Sequence, residues 1–180
     1  MTLSELSDEK LMRDAADGRF SAFEEFAERH QGRILNFLWR LCGNAETAKR
    51  LFEGTWSELY KLRATQPAAQ SAQTLLFSLA TRRAMKLLGE NPGLAVSRGT
   101  AMQGDKASLE WRSARLNDAL LSLPLRERAA LLLCFLDTLN YASAAAAMNE
   151  REENLRTLCG QGLGRLRETL GEGFLSAGLP

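Results

Sequence analysis

Residues 139–167 read LNYASAAAAMNEREENLRTLCGQGLGRLR. The alanine-rich segment favours helix, Met148-Asn149 interrupts it, and Leu155, Cys159 and Leu166 then recur at helical spacing. Two helices joined by so short a break have the spacing of a helix-turn-helix. Asn149 suits the turn, because asparagine tolerates the left-handed backbone conformation. The second helix opens on Glu150, Glu152 and Glu153 and carries Gly160, Gly162 and Gly164. A glycine inside a helix costs ~1 kcal/mol relative to alanine, so three at alternate positions predict a kink, a frayed end or a close-packed partner surface. The alanines at 144–147 permit close approach of another helix.

Helical periodicity extends outward from this stretch through the rest of the chain. Ser7-Asp8-Glu9 predicts a capped helix carrying Leu11, Met12, Ala15 and Ala16 and stopped at Gly18. Phe23, Ala27, His30, Ile34, Phe37, Leu38 and Leu41 form an apolar stripe on one long helix that ends at Gly43-Asn44. Ala48, Leu51, Phe52, Thr55, Leu59 and Leu62 form a third stripe, Gln66-Pro67 interrupts, and Leu75, Leu76, Leu79, Ala80 and Leu87 form a fourth. A stretch with four glycines and one proline follows over residues 89–110 and reads as a linker. A second unit begins near Trp111, with Leu116, Ala119, Leu120 and Leu123 broken by Pro124, then Ala129, Leu132, Leu133 and Leu136. The expected architecture is all-α: a helical domain over 1–88, a linker over 89–110, a helix-turn-helix domain over 111–172 and a tail over 173–180.

Composition narrows the function. An apolar share of 45% is enough for packed cores. Lys and Arg number 23 against 22 Asp and Glu. Any nucleic-acid footprint must therefore be local, since neither domain is strongly basic. His30 is the one histidine, which argues against a Ser-His-Asp triad or a histidine metal site. On its stripe it reads as a packed or edge-bonded core residue. Cys42, Cys134 and Cys159 lack zinc or disulfide-framework spacing and fit a reducing compartment. No apolar run approaches the ~20 residues that span a bilayer, and a cytoplasmic protein without membrane insertion is expected. Trp39, Trp56 and Trp111 fall at helical spacings that assign them to cores or helix junctions, and Glu24, Glu25 and Glu28 read as a solvated acidic face. No catalytic residue, metal ligand or cofactor motif emerges.

The layout resembles a known family. Ala22-Phe23-Glu24-Glu25-Phe26, followed by the G-N-A-E-x-A motif at Gly43–Ala48, looks like region 2 of the extracytoplasmic-function sigma factors of the sigma-70 family. The second unit is similar to their region 4. Its L-x-x-A-L-x-x-L-P-x-x-x-R pattern stands at Leu116, Ala119, Leu120, Leu123, Pro124 and Arg128, and Leu139-Asn140-Tyr141 precedes the first helix of the motif. The resemblance implies that region 2 grips the clamp of RNA polymerase core and captures bases of the melted −10 promoter element. It implies that region 4 lays its second helix in the major groove at −35. It also implies an anti-sigma factor as a partner.

Carried over residue by residue, the resemblance makes Arg50, Leu51, Glu53 and Trp56 candidates for polymerase binding. Arg82, Arg83, Lys86, Arg151, Arg156 and Thr157 become candidates for DNA binding. The surfaces depart from the family's pattern. Where it reads D-L-x-Q-E, this chain has Arg50-Leu51-Phe52-Glu53-Gly54; where it reads W-L-x-x-I-A-x-N, the chain has Leu75 to Arg82. In the second helix of the motif, Arg156 and Thr157 keep the family's lysine–serine character, while Leu158, Gln161 and Leu163 occupy arginine positions. On their residues alone, Arg82, Arg83 and Lys86 read as a solvated face near a helix C-terminus, where cations suit the dipole. Two functions follow. One is a sigma factor with weak or diverged promoter readout. The other is a degenerate sigma-like regulator that binds an anti-sigma factor, polymerase or another protein without reading DNA.

Overall fold

A computed structural model describes residues 2–65, 71–91, 109–137 and 139–171, with backbone only for 109–112. The described residues are helical and turn segments: α1 (Asp8–Ala16), α2 (Phe20–Cys42), α3 (Ala45–Leu62), α4 (Ala72–Glu90), α5 (Leu109–Ser122), α6 (Leu125–Leu131), α7 (Tyr141–Met148) and α8 (Glu152–Leu170), with a short 3-10 turn at Leu3–Glu5. The linker expected at 89–110 lies mostly outside the described residues. So do Gln66-Pro67, the tail at 173–180 and the Trp111 side chain. Among the described residues no helix is long and apolar enough to cross a membrane.

The helix ends follow local chemistry. Ser7, Asn44, Ser71 and Asn140 each accept a hydrogen bond from the backbone N–H three residues on, satisfying a donor that the first helical turn leaves free. Gly43 ends α2 at φ +69°, and a Cβ there would lie 2.6 Å from Leu121 Cδ2, so both backbone and space require glycine. Asn149 takes φ +53° after α7. Glu150 N donates to Ala145 O at 2.9 Å and Asn149 N to Ala146 O at 3.1 Å, the paired bonds of a Schellman closure.

The helix expected through Leu136 changes character. After α6 the chain widens into a π turn over Leu132–Leu136, where Asp137 N donates to Leu132 O at 3.0 Å. The extra residue in the turn shifts the phase of the stripe. Leu136, expected inward, is exposed, as is Phe135, while Asp137 turns into the interior. Leu62, expected on the third stripe, also sits at the surface at the end of α3.

The two helical units share one continuous apolar core from Leu11 to Leu170. The alanine-rich α7 packs along α4, with Ala144, Ala145 and Ala147 buried. The π turn and α6 lie against α2. Arg128, 4% exposed, is the polar centre of this junction. It donates to Leu41 O at 2.6 Å and to Leu121 O and Leu123 O, each at 2.9 Å. One guanidinium thus closes the carbonyl ends of α2 and α5 together. Nearby, Arg33 of α2 donates to Asp137 O, lies 3.7 Å from its carboxylate and sits over the Phe77 ring.

Candidate functional site

Three surfaces carry the residues singled out by sequence. On the first, α3 lies against α2. Leu51 is buried in the core, and half-buried Trp56 meets the rings of Phe23, Phe26 and Phe52 edge-on at about 6 Å. These two side chains hold α3 in place. Arg50 and Glu53 are exposed, with Lys49 Nζ 4.0 Å from Glu53. Beside them opens an apolar groove of about 600 Å³ lined chiefly by Leu35, Trp39, Ala48 and Phe52, with Lys49 and Glu53 at its edge. Leu35 is 43% and Trp39 39% exposed. Trp39 therefore belongs to a surface groove rather than a core. Its sequence signal is an apolar pair four residues apart, out of phase with the Ile34, Phe37, Leu38 and Leu41 stripe.

The second surface joins α3 to α4. Arg82 and Arg83 both pair with Glu58, Arg83 Nη1 donating at 2.9 Å. Arg83 lies across Gly54, where any Cβ would collide with the guanidinium. Gly54, which departs from the family's glutamate, is thus the seat of an arginine. Lys86 is exposed one turn further along α4. The pairing with Glu58 was not visible in the local sequence, because Glu58 is 24 residues away in the chain.

The third surface is the helix-turn-helix. Helix α8 runs unbroken through its three glycines, with Leu155, Cys159, Gly162, Leu166 and Leu170 facing inward. Gly162 answers to close packing: a Cβ there would lie 2.8 Å from Leu131 Cδ1. Around Gly160 and Gly164 the space is open. On the outer side, Arg151 precedes the first turn and is exposed. Arg156 lies 3.5 Å from Glu152 and stacks over the Tyr141 ring at 4.3 Å. Thr157 is exposed, and its hydroxyl donates to Glu153 O at 3.0 Å. Arg126 pairs with Glu150, which also accepts from Asn154 at 3.0 Å, and Arg165 lies 3.1 Å from the buried Glu127. Of the acids that open the helix, Glu150 and Glu152 thus hold neighbouring cations.

Other singled-out residues are structural. His30 is buried, its Nε2 2.6 Å from Asp8 Oδ2, and it ties the start of α1 to α2. Glu25 pairs with Arg29 at 2.9 Å, while Glu24 and Glu28 face solvent.

No protein-family model matches the sequence, and no curated protein does. Solved structures do match. The structure of CnrH in complex with the cytosolic domain of CnrY aligns with a TM-score of 0.71 at 16% identity, covering 91% of this chain and 96% of that one. The sigma factor RpoE in complex with the anti-sigma factor NepR, from Bartonella quintana, aligns with a TM-score of 0.63 at 16% identity, covering 83% of this chain and 98% of that one. Over most of its length, and at low sequence identity, the chain has the fold of the extracytoplasmic-function sigma factors.

Proposed function

We propose that this protein acts in DNA-templated transcription initiation as a sigma factor of the extracytoplasmic-function type. In this reading RNA polymerase core meets the α2–α3 face at Arg50, Glu53 and the groove of Leu35, Trp39 and Phe52. Promoter DNA meets α4 through Arg82, Arg83 and Lys86, and α8 through Arg151, Arg156 and Thr157. The observation that carries the reading is the helix-turn-helix itself. Its turn is closed at Asn149, and the outer side of α8 presents Arg156 and Thr157 to solvent. The ion pairs on these cations do not bar it. Exposed pairs are worth about 0–1 kcal/mol, so a phosphate can displace Glu152 from Arg156 at small cost, while the half-buried Glu58 holds Arg82 and Arg83 more firmly.

The packed arrangement is then a resting form. The −10 and −35 elements are separated by about 25 base pairs, or about 85 Å of duplex at 3.4 Å per pair. A packed chain of this length has a radius of gyration of about 16 Å, too small to bridge them. Engaging both elements requires the two units to part. An anti-sigma factor is the natural occupant of the closed form, with an amphipathic helix seated in the Trp39 groove. The two solved structures described above, each a complex, support that kind of partner.

The pairing of Arg126, Arg156 and Arg165 with carboxylates favours a second reading, a sigma-like regulator that binds proteins without reading DNA. One experiment separates them. The full chain is mixed with bacterial core polymerase, tested for co-elution, and used in transcription from a library of upstream regions of its own genome. Co-elution with selective transcripts is the expected result. Co-elution without transcripts establishes the regulator, and no co-elution removes the polymerase-binding reading. Glu58→Gln frees Arg82 and Arg83, and should raise single-stranded DNA affinity and steepen its salt dependence by up to about 0.7 per phosphate gained. An unchanged salt slope would remove α4 from the DNA surface.

A further inference from the structure

Two of the three cysteines meet in the second helical unit. Cys134 lies in the π turn and Cys159 in the middle of α8, 25 residues apart in sequence, and their sulfurs are 3.8 Å apart. Cys134 is half-buried, and Cys159 is 2% exposed. We propose that Cys134 and Cys159 form an oxidisable dithiol, which peroxide-class oxidants convert to a disulfide joining the π turn to α8. Sulfurs already in contact need to close by less than 2 Å to reach a bond of about 2.05 Å.

The pair shares its protons. The S–H of one cysteine bonds the sulfur of the other, which holds Cys159 below the ordinary thiol range and pushes Cys134 above it. One thiolate is thus favoured and rests on Cys159; when the shared proton crosses the S–H···S contact the charge stands on Cys134, the more exposed residue of the two, where an oxidant meets it. The thiolate attacks a peroxide oxygen: an S–O bond forms, the O–O bond breaks, and hydroxide or alkoxide leaves. The second sulfur then attacks the sulfenic acid. The S–S bond forms, the S–O bond breaks, and the departing hydroxide takes the second thiol's proton as water. Two thiols are oxidised and one peroxide is reduced. Cys42 stands apart: it is fully buried, and burial pushes its thiol up to about 12. It remains a protonated bystander, which gives the site an internal control.

The test uses the full reduced chain and hydrogen peroxide. Thiol titration, intact mass and peptide mapping should show the loss of two hydrogens, a Cys134–Cys159 linked peptide, and thiol loss about tenfold or more faster than at Cys42. Cys42→Ser should behave as the parent. In Cys159→Ser the resolving sulfur is gone, so a dione probe should trap sulfenic acid on Cys134. Cys134→Ser should yield no intramolecular disulfide. Three free thiols after treatment, a linkage that includes Cys42, or a linkage only between separate chains would overturn the proposal. So would a Cys159→Ser protein that remains folded by circular dichroism and carries no trapped sulfenic acid.

Discussion

Gly160, Gly162 and Gly164 share one helix and differ in what surrounds them. At Gly162 the missing side chain is the space that Leu131 fills, and Glu127 Cβ lies 3.4 Å from where a methyl would stand. Alanine there makes the buried Leu131 side chain shift, a strain of about 1–3 kcal/mol. At Gly160 and Gly164 a methyl meets nothing within 4 Å. Gly160→Ala and Gly164→Ala should each raise stability by about 0.5–1 kcal/mol through helix propensity alone, and Gly162→Ala should lower it. Thermal midpoints of the three variants check this, and a stabilising Gly162→Ala would mean that α6 and α8 are not packed as described. Sequence could rank the glycines only as a set, since nothing local distinguishes the one that faces Leu131. Nothing in the structure accounts for the other two.

At the scale of the element, the π turn concentrates what the sequence did not reveal. Burial pushes the Asp137 carboxyl up to about 7, with Arg33 opposing, and one of its oxygens is buried without a partner. Its ordinary value is 3.8, so the folded chain holds this proton more tightly than the unfolded chain. The associated stability is therefore fully present below about pH 3.8 and is lost as pH rises through about 7, at up to about 1.4 kcal/mol per pH unit. Asp137→Asn keeps the shape and cannot titrate. Relative to that variant, the parent should lose stability steadily between about pH 4 and 7 and no further above that window. Thermal midpoints measured across that range give the comparison, and parallel profiles would show that Asp137 is not buried as a carboxyl. The helices themselves were legible, because the cap at Ser7, the stop at Gly43 and stripes of period 3.6 are local properties. The phase shift at Leu132–Leu136 was not, because a π turn has no residue code. The candidate cations Arg82 and Arg83 were legible as residues, while their partner Glu58 was set by the packing of α3 against α4.

At the scale of the whole molecule, one residue joins what the sequence separates. The motif that ends in Arg128 reads as part of the second unit, yet its guanidinium reaches 87 positions back along the chain to the carbonyl of Leu41. Burial lowers the affinity of Arg128 for its proton, and carbonyls at two helix ends stabilise the charge in place of a carboxylate. Arg128→Met keeps an unbranched stem in the junction and removes all three hydrogen bonds, leaving carbonyl oxygens without their donor. Bonds to a charged donor are worth about 1.5–3 kcal/mol each, and they are not additive when one group makes them all. A loss on the order of 3 kcal/mol is expected. The packing within each unit, α2 on α3 and α6 on α8, remains, so the helices should persist while the junction loosens. Small-angle scattering should then show a radius of gyration above the roughly 16 Å of a packed chain this long, with helical circular dichroism retained at low temperature. If opening is what gives polymerase and promoter access to the two units, the same variant should bind core polymerase more readily than the parent. A variant that unfolds as one unit, with no expanded helical form, would mean that the two units do not stand without their junction.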